Sequence, residues 1–140
     1  MSEQLYIELE KTIPFYDVDS YQIVWHGNYP RYFEEARCAL LAKIGCSYTD
    51  MEDWGFFFPI IDLSVKYVQP LTFNQRILIT ARLVEWRNKV IIRYTIIDAT
   101  TGQSLTKAST AQVAISMPNK ITQFESPIPL IEAIDKALDT

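Results

Sequence analysis

Between Phe15 and Tyr29 the chain gathers two carboxylates, Asp17 and Asp19, its only histidine, His26, and the signals of a helix start. A helix start presents unpaired amides and partial positive charge. Such amides can hold a carbonyl oxygen that becomes negative during acyl transfer. A carboxylate beside them can attack the carbonyl or draw a proton from water. Together they are the minimum kit for hydrolysing an activated acyl group. Each residue also has a plainer use. Aspartates before a helix turn or cap the chain, a lone histidine in a loop sits at the surface, and Trp25 and Tyr29 fit a core. Spacing does not choose between Asp17 and Asp19. A single histidine excludes multi-histidine zinc sites and histidine-pair mechanisms, so no metal is expected.

The elements that must position this cluster follow from periodicity. Tyr6–Phe15 alternates and reads as a strand, and Asp17–Trp25 reads as a loop. Asn28 is a candidate N-cap, with Pro30 tolerated in the first turn. Phe33, Ala36, Leu40 and Ile44 recur at helical spacing, and Gly45 is a candidate stop. Arg37 and Lys43 suit the negative end of the dipole. Apolar members on several sides predict an embedded helix. Asp50–Gly55 reads as a turn or short helix. Phe57–Val68 is a strand weakened at Pro59. Arg76–Arg87, Val90–Asp98 and Gln103–Met117 alternate and predict an antiparallel meander. On the last of these, Leu105, Lys107, Ser109, Ala111, Val113 and Ile115 share a face. Ile128–Leu138 is a short amphipathic helix, with Ser126 as its expected cap. The fold class is therefore α+β, with one long helix packed on a twisted antiparallel sheet of five to six strands. Long edge strands in such a sheet invite pairing between two copies.

Bulk composition sets limits. A chain of 140 residues suits one domain. Hydrophobic residues make up 49%, enough for a core without staples, and exclude intrinsic disorder. Thirteen basic against seventeen acidic residues give a net charge of −4 with no basic block. Neither nucleic acid nor an anionic membrane surface is an expected partner. Met1-Ser2-Glu3-Gln4 has neither a basic start nor an apolar core, so no signal peptide is expected. Two cysteines are too few for a disulfide framework, and a cytoplasmic location is expected.

The stretch Asp19, six residues, then His26-Gly27-Asn28-Tyr29-Pro30-Arg31-Tyr32-Phe33-Glu34-Glu35-Ala36-Arg37 resembles the signature of hotdog-fold acyl-CoA thioesterases of the 4-hydroxybenzoyl-CoA thioesterase type. Val65-Lys66-Tyr67-Val68-Gln69-Pro70 resembles the strand of that family that ends in a Tyr-x-x-Pro turn. The resemblance implies a single hotdog domain over residues 1–140. It places the catalytic acid on Asp19, as nucleophile or general base, and leaves Asp17 structural. It places the carbonyl-polarising amide at His26, with Trp25, Gly27 and Asn28 around the substrate. It implies hydrolysis of an acyl thioester of coenzyme A or of an acyl carrier protein. No cofactor is implied beyond the coenzyme A of the substrate. A homodimer or homotetramer is implied, with the acyl chain near Trp54 and Phe56–Phe58 at the partner, and Lys66 or Arg87 as cations for phosphate.

The chain departs from the family pattern at three places. Gln22 stands where glycine is common, Phe15 lacks a phenol that some members carry there, and Asn74-Gln75 replaces a glycine-acid turn. Two other readings stand beside hydrolysis. One is a hotdog enoyl-CoA hydratase or dehydratase using Glu34 or Glu35, and the other is a non-catalytic acyl-binding protein.

Overall fold

The computed structural model describes residues 5–139. β1 (Tyr6–Thr12) leads through a 3-10 turn at Phe15–Asp17 and a loop to a second 3-10 turn, His26–Asn28, which runs directly into α1 (Tyr29–Ile44). There follow α2 (Tyr48–Asp53), β2 (Phe56–Phe57), β3 (Ile60–Tyr67), β4 (Arg76–Glu85), β5 (Val90–Asp98), β6 (Ser104–Gln112), β7 (Ile115–Ser116), β8 (Ile121–Thr122) and α3 (Ile128–Leu138). Five strands form one antiparallel sheet in the order β1-β4-β5-β6-β3, and β2-β7-β8 form a small second sheet. Among the described residues no helix is long and apolar enough to cross a membrane.

α1 lies on the sheet because it is apolar over a broad sector. Tyr29, Tyr32, Phe33, Ala36, Leu40, Leu41 and Ile44 are all buried. They meet Ile77, Ile79, Ala81 and Leu83 of β4 and Val90, Ile92, Tyr94 and Ile96 of β5, the faces that alternation predicts. At the C-terminus Gly45 adopts φ 92° and donates to the Leu41 and Ala42 carbonyls. A left-handed residue there closes the helix at no steric cost only as glycine.

The structure corrects several expected boundaries. The first strand ends at Thr12 because Pro14 and the 3-10 turn interrupt it. The expected strand Phe57–Val68 is two strands in two sheets, parted at Phe58–Pro59. A register shift between Ile60 and Asp62 then turns Ile60 onto the same face as Leu63, Val65 and Tyr67. Gln103–Met117 likewise divides into β6 and β7. The face of β6 that meets α1 is the other one. Thr106, Ala108, Thr110 and Gln112 pair across to Ile96, Tyr94, Ile92 and Val90, whose side chains form the core. Lys43 lies in the last turn of α1, as a dipole partner should, while Arg37 lies before it and is buried. Ser126 is not the cap of α3, which starts after Pro127 without a side-chain cap.

Replacing Gly45 with alanine forces a side chain into the left-handed region, although nothing crowds the site. The Gly45→Ala variant should lose about 1 kcal/mol of stability, read as a lower urea midpoint with unchanged slope.

Candidate active site

The loop that carries the two aspartates is a small knot of backbone pairing. Val18 bridges to Val24, and Ile23 bridges to Thr72. Asp19 N–H donates to the Ile23 carbonyl, and Val24 N–H donates to the Leu71 carbonyl. The turn closes at Gln22, whose φ is 67°. Gln22 therefore holds the left-handed backbone that glycine adopts freely, and its side chain is exposed. The departure from glycine leaves the turn in place and puts nothing into the site. Asn74 does the same in the other departing turn, with φ 66°.

The two aspartates have different surroundings. Asp17 is 3% exposed. Its carboxylate accepts from the Arg31 guanidinium at 2.5 Å and the Tyr32 hydroxyl at 2.6 Å. Its backbone carbonyl accepts from Trp25 N–H at 3.1 Å and from the Asn28 side-chain amide at 2.9 Å. Burial alone would raise the carboxyl pKa. The Tyr32 and Arg31 hydrogen bonds, with the charges of Arg31 and Lys11, outweigh it and hold Asp17 below the ordinary value. Burial and then Asp17 push the Tyr32 phenol up. Asp17 thus fastens the loop to the first turn of α1.

Asp19 is half-buried, and one carboxylate oxygen accepts from Tyr21 N–H at 2.8 Å, an Asx turn. It lines a cavity of about 250 Å³ together with His26. Ile23, Val24 and Tyr29 form one wall of this cavity, and Tyr67 and Pro70 form the other. The rings of Tyr29 and Tyr67 meet edge to face at 4.8 Å. The amides of His26 and Gly27 open the turn that becomes α1, and among the described residues neither donates a hydrogen bond. Asp19 and His26, whose amide is the first of the helix start, therefore line one small void. That arrangement can polarise a carbonyl and deliver a nucleophile to it.

The remaining expected residues lie beside the cavity and not in its wall. Asn28 precedes α1 but does not cap it, because its side chain is engaged by the Asp17 carbonyl. The Trp25 ring covers Gly27 so closely that a Cβ there would overlap it. Trp25 also packs against His26, ring centroids 5.3 Å apart. Phe15, Tyr16 and Tyr21 are exposed, so no phenol of that loop lines the cavity. Trp54 and Phe56–Phe58 line two other hollows, not this one. Arg87 sits by the β4–β5 turn, at the Gln112 end of the sheet, while the cavity is at the Tyr67 end. Glu34 and Glu35 are exposed, with Glu35 3.5 Å from Lys11.

The architecture is that of the hotdog fold. The 1,4-dihydroxy-2-naphthoyl-CoA thioesterase Slr0204 from Synechocystis superposes with a TM-score of 0.83 at 23% identity, covering 96% of this chain and 98% of that one. A DHNA-CoA thioesterase from Staphylococcus aureus gives 0.82 at 27% identity, over 94% and 89%. YneP of Bacillus subtilis (strain 168), named as a candidate acyl-CoA thioesterase, is 26% identical over 86% of this chain and 88% of its own. Residues 13–138 match the thioesterase-like superfamily, and the chain belongs to that family.

Asp17 gives the fold a titratable fastening. Its folded pKa lies below the unfolded value of about 3.9, so its contribution is present above that value and is lost as pH falls through the folded one. In Asp17→Asn the protein should be less stable at pH 7. The fall in its urea midpoint between pH 5 and pH 3 should be smaller than in the parent chain.

Proposed function

We propose that the protein hydrolyses an acyl-CoA thioester to the free acid and coenzyme A, with Asp19 and the His26 amide acting on the same carbonyl. The observation that carries this reading is the shared cavity of Asp19 and His26. The family supports the reaction class. The relatives named above carry coenzyme A in their names, which favours coenzyme A over a carrier protein as the thiol.

In this reading the thioester oxygen accepts from the His26 N–H, with Gly27 N–H beside it. Asp19 attacks the carbonyl carbon, the oxygen takes up the negative charge, and collapse expels the coenzyme A thiolate. The resulting mixed anhydride is opened by water, returning the carboxylate. In the general-base variant Asp19 takes a proton from water, which attacks instead. Incorporation of isotope from labelled water into the Asp19 carboxyl marks the anhydride route. The Asx turn leaves the second carboxylate oxygen without a partner among the described residues, so one oxygen orients the group while the other reacts.

The working unit in this proposal is a dimer. β3 is an edge strand, and its helix-side residues Ile60, Leu63 and Tyr67 are 40–49% exposed. An uncovered edge with such residues is a template for a second strand. Antiparallel pairing of β3 with its copy brings the partner's Ile60 end to the Tyr67 end of the first chain. That places the partner's apolar hollow at Phe56–Phe58 beside the cavity.

Two outcomes are expected. Asp19→Asn should lower acyl-CoA turnover by about 10²-fold or more with an unchanged urea midpoint. Near-normal turnover contradicts the assignment. Water addition to an enoyl-CoA without thiol release favours the hydratase reading, and tight binding without turnover favours a binding protein. In solution the chain should have at least twice the monomer mass, and Val65→Pro, which removes an N–H from the open edge of β3 and not from its ladder with β6, should shift it toward the monomer with loss of turnover.

A further inference from the structure

Apart from the cavity at Asp19, residues of α1 and β3 line a second hollow, of about 480 Å³. Pro30, Phe33, Glu34 and Arg37 of α1, Ile60 and Leu63 of β3 and Thr110 of β6 line it, together with Arg31, whose guanidinium is already paired with Asp17. The core face of β6 carries polar residues where those of β4 and β5 are apolar apart from the Tyr94 hydroxyl. Thr106, Thr110 and Gln112 are buried there. Polar residues on a core face mark a site more often than a packing need.

Arg37 is the unusual member. Its side chain is 8% exposed and it keeps its charge at any ordinary pH. Nε donates to the Tyr48 hydroxyl at 2.7 Å, and Nη1 to the Tyr94 hydroxyl at 3.4 Å. Tyr94 is in turn bonded to Thr110 at 2.7 Å, and Gln112 donates to Tyr48 at 3.2 Å. The nearest carboxylate is Glu34, 3.8 Å away on a side chain 61% exposed. Of five guanidinium donors only two make hydrogen bonds to described residues. Gln112 Oε1, in the same cluster, is buried with no partner. A buried cation held by phenols and facing a cavity is costly unless an acceptor completes its shell.

We infer that Arg37 is a specificity residue of the reaction proposed above, and that it receives a carboxylate at the far end of the acyl group. The inference rests on the thioesterase reading. The helix sets the length. From Gly27 to Arg37 is about 15 Å of helix, and the arginine leans back toward the N-terminus. The gap between the oxyanion amides and the guanidinium is then roughly 10 Å, the span of an extended acyl chain of about eight carbons. Phe33, Leu63 and Ile60 flank the methylenes, and the guanidinium ends the run.

The test is a matched pair of eight-carbon substrates, octanoyl-CoA and suberoyl-CoA, which differ only in the terminal carboxylate. A charge-assisted hydrogen bond in a sheltered site predicts a kcat/KM ratio of about tenfold or more for suberoyl over octanoyl. In Arg37→Met the ratio should fall to about one or below. Because Arg37 belongs to a buried network, Glu34→Gln provides the check on a surface residue. It removes the competing carboxylate, and the ratio should rise. A parent enzyme that cleaves octanoyl-CoA at least as well as suberoyl-CoA, or a ratio that Arg37→Met leaves unchanged, overturns this inference and leaves the thioesterase reading standing. Cleavage of neither ester also overturns this inference, and only absence of thiol release across short, long and aromatic acyl-CoAs overturns the thioesterase reading with it.

Discussion

The buried carboxylate of Asp17 is the constraint on which the site depends. Between β1 and α1 only Ile13 and Val24 are buried in the apolar core, while Phe15, Tyr16 and Tyr21 are exposed. Asp17 supplies the missing attachment. Its side chain grips Arg31 and Tyr32 of α1, and its carbonyl takes the Trp25 amide and the Asn28 side chain. Removing water from an ionised carboxylate is expensive, and a charged partner and a phenol offset it here. With the loop fixed, Asp19 two residues on is held against the helix start. Asn28 contributes through the same fastening, because a side chain bonded to the loop does not cap the helix amides.

The same helix leaves the sheet incompletely covered. α1 buries the faces of β4 and β5, while the edge strand β3 keeps its helix-side residues open to solvent. Two hollows result between α1 and β3, one lined by the Asp19 carboxylate and the other by the buried Arg37 guanidinium. A core designed only for stability would carry Val, Ile or Leu at Thr106, Thr110 and Gln112. The bulge at Ile60 returns that residue to the helix side after the break at Pro59, so local irregularity shapes the opening.

The legible parts of the sequence were those where one rule acted alone. Alternation on β4 and β5 gave the buried faces because nothing but packing operates there. The helix from Tyr29 to Gly45 was visible for the same reason. On β6 the rule failed, since the apolar residues Leu105, Ala111 and Val113 drew attention to the face opposite α1. Arg37 looked like a dipole partner because spacing says nothing of depth. Phe57–Val68 read as one strand because an apolar run does not disclose which sheet each half joins. At the site, residue types and the helix signal located the cluster, but Asp17 and Asp19 are equivalent in spacing. Only the resemblance to a family separated them by role, and only the fold showed one buried on Arg31 and the other lining a void. Tyr67 and Pro70 reach the cavity from a distant strand, a contact that local patterning does not encode.

The most direct test of the central claim is a crystal structure of the Asp19→Asn protein with a bound acyl-CoA. The thioester oxygen should lie about 3 Å from the His26 amide nitrogen, within hydrogen-bond range, with residue 19 over the carbonyl carbon. A thioester seated elsewhere, with the His26 amide facing solvent or the side chain of residue 19 turned away from it, would contradict the account.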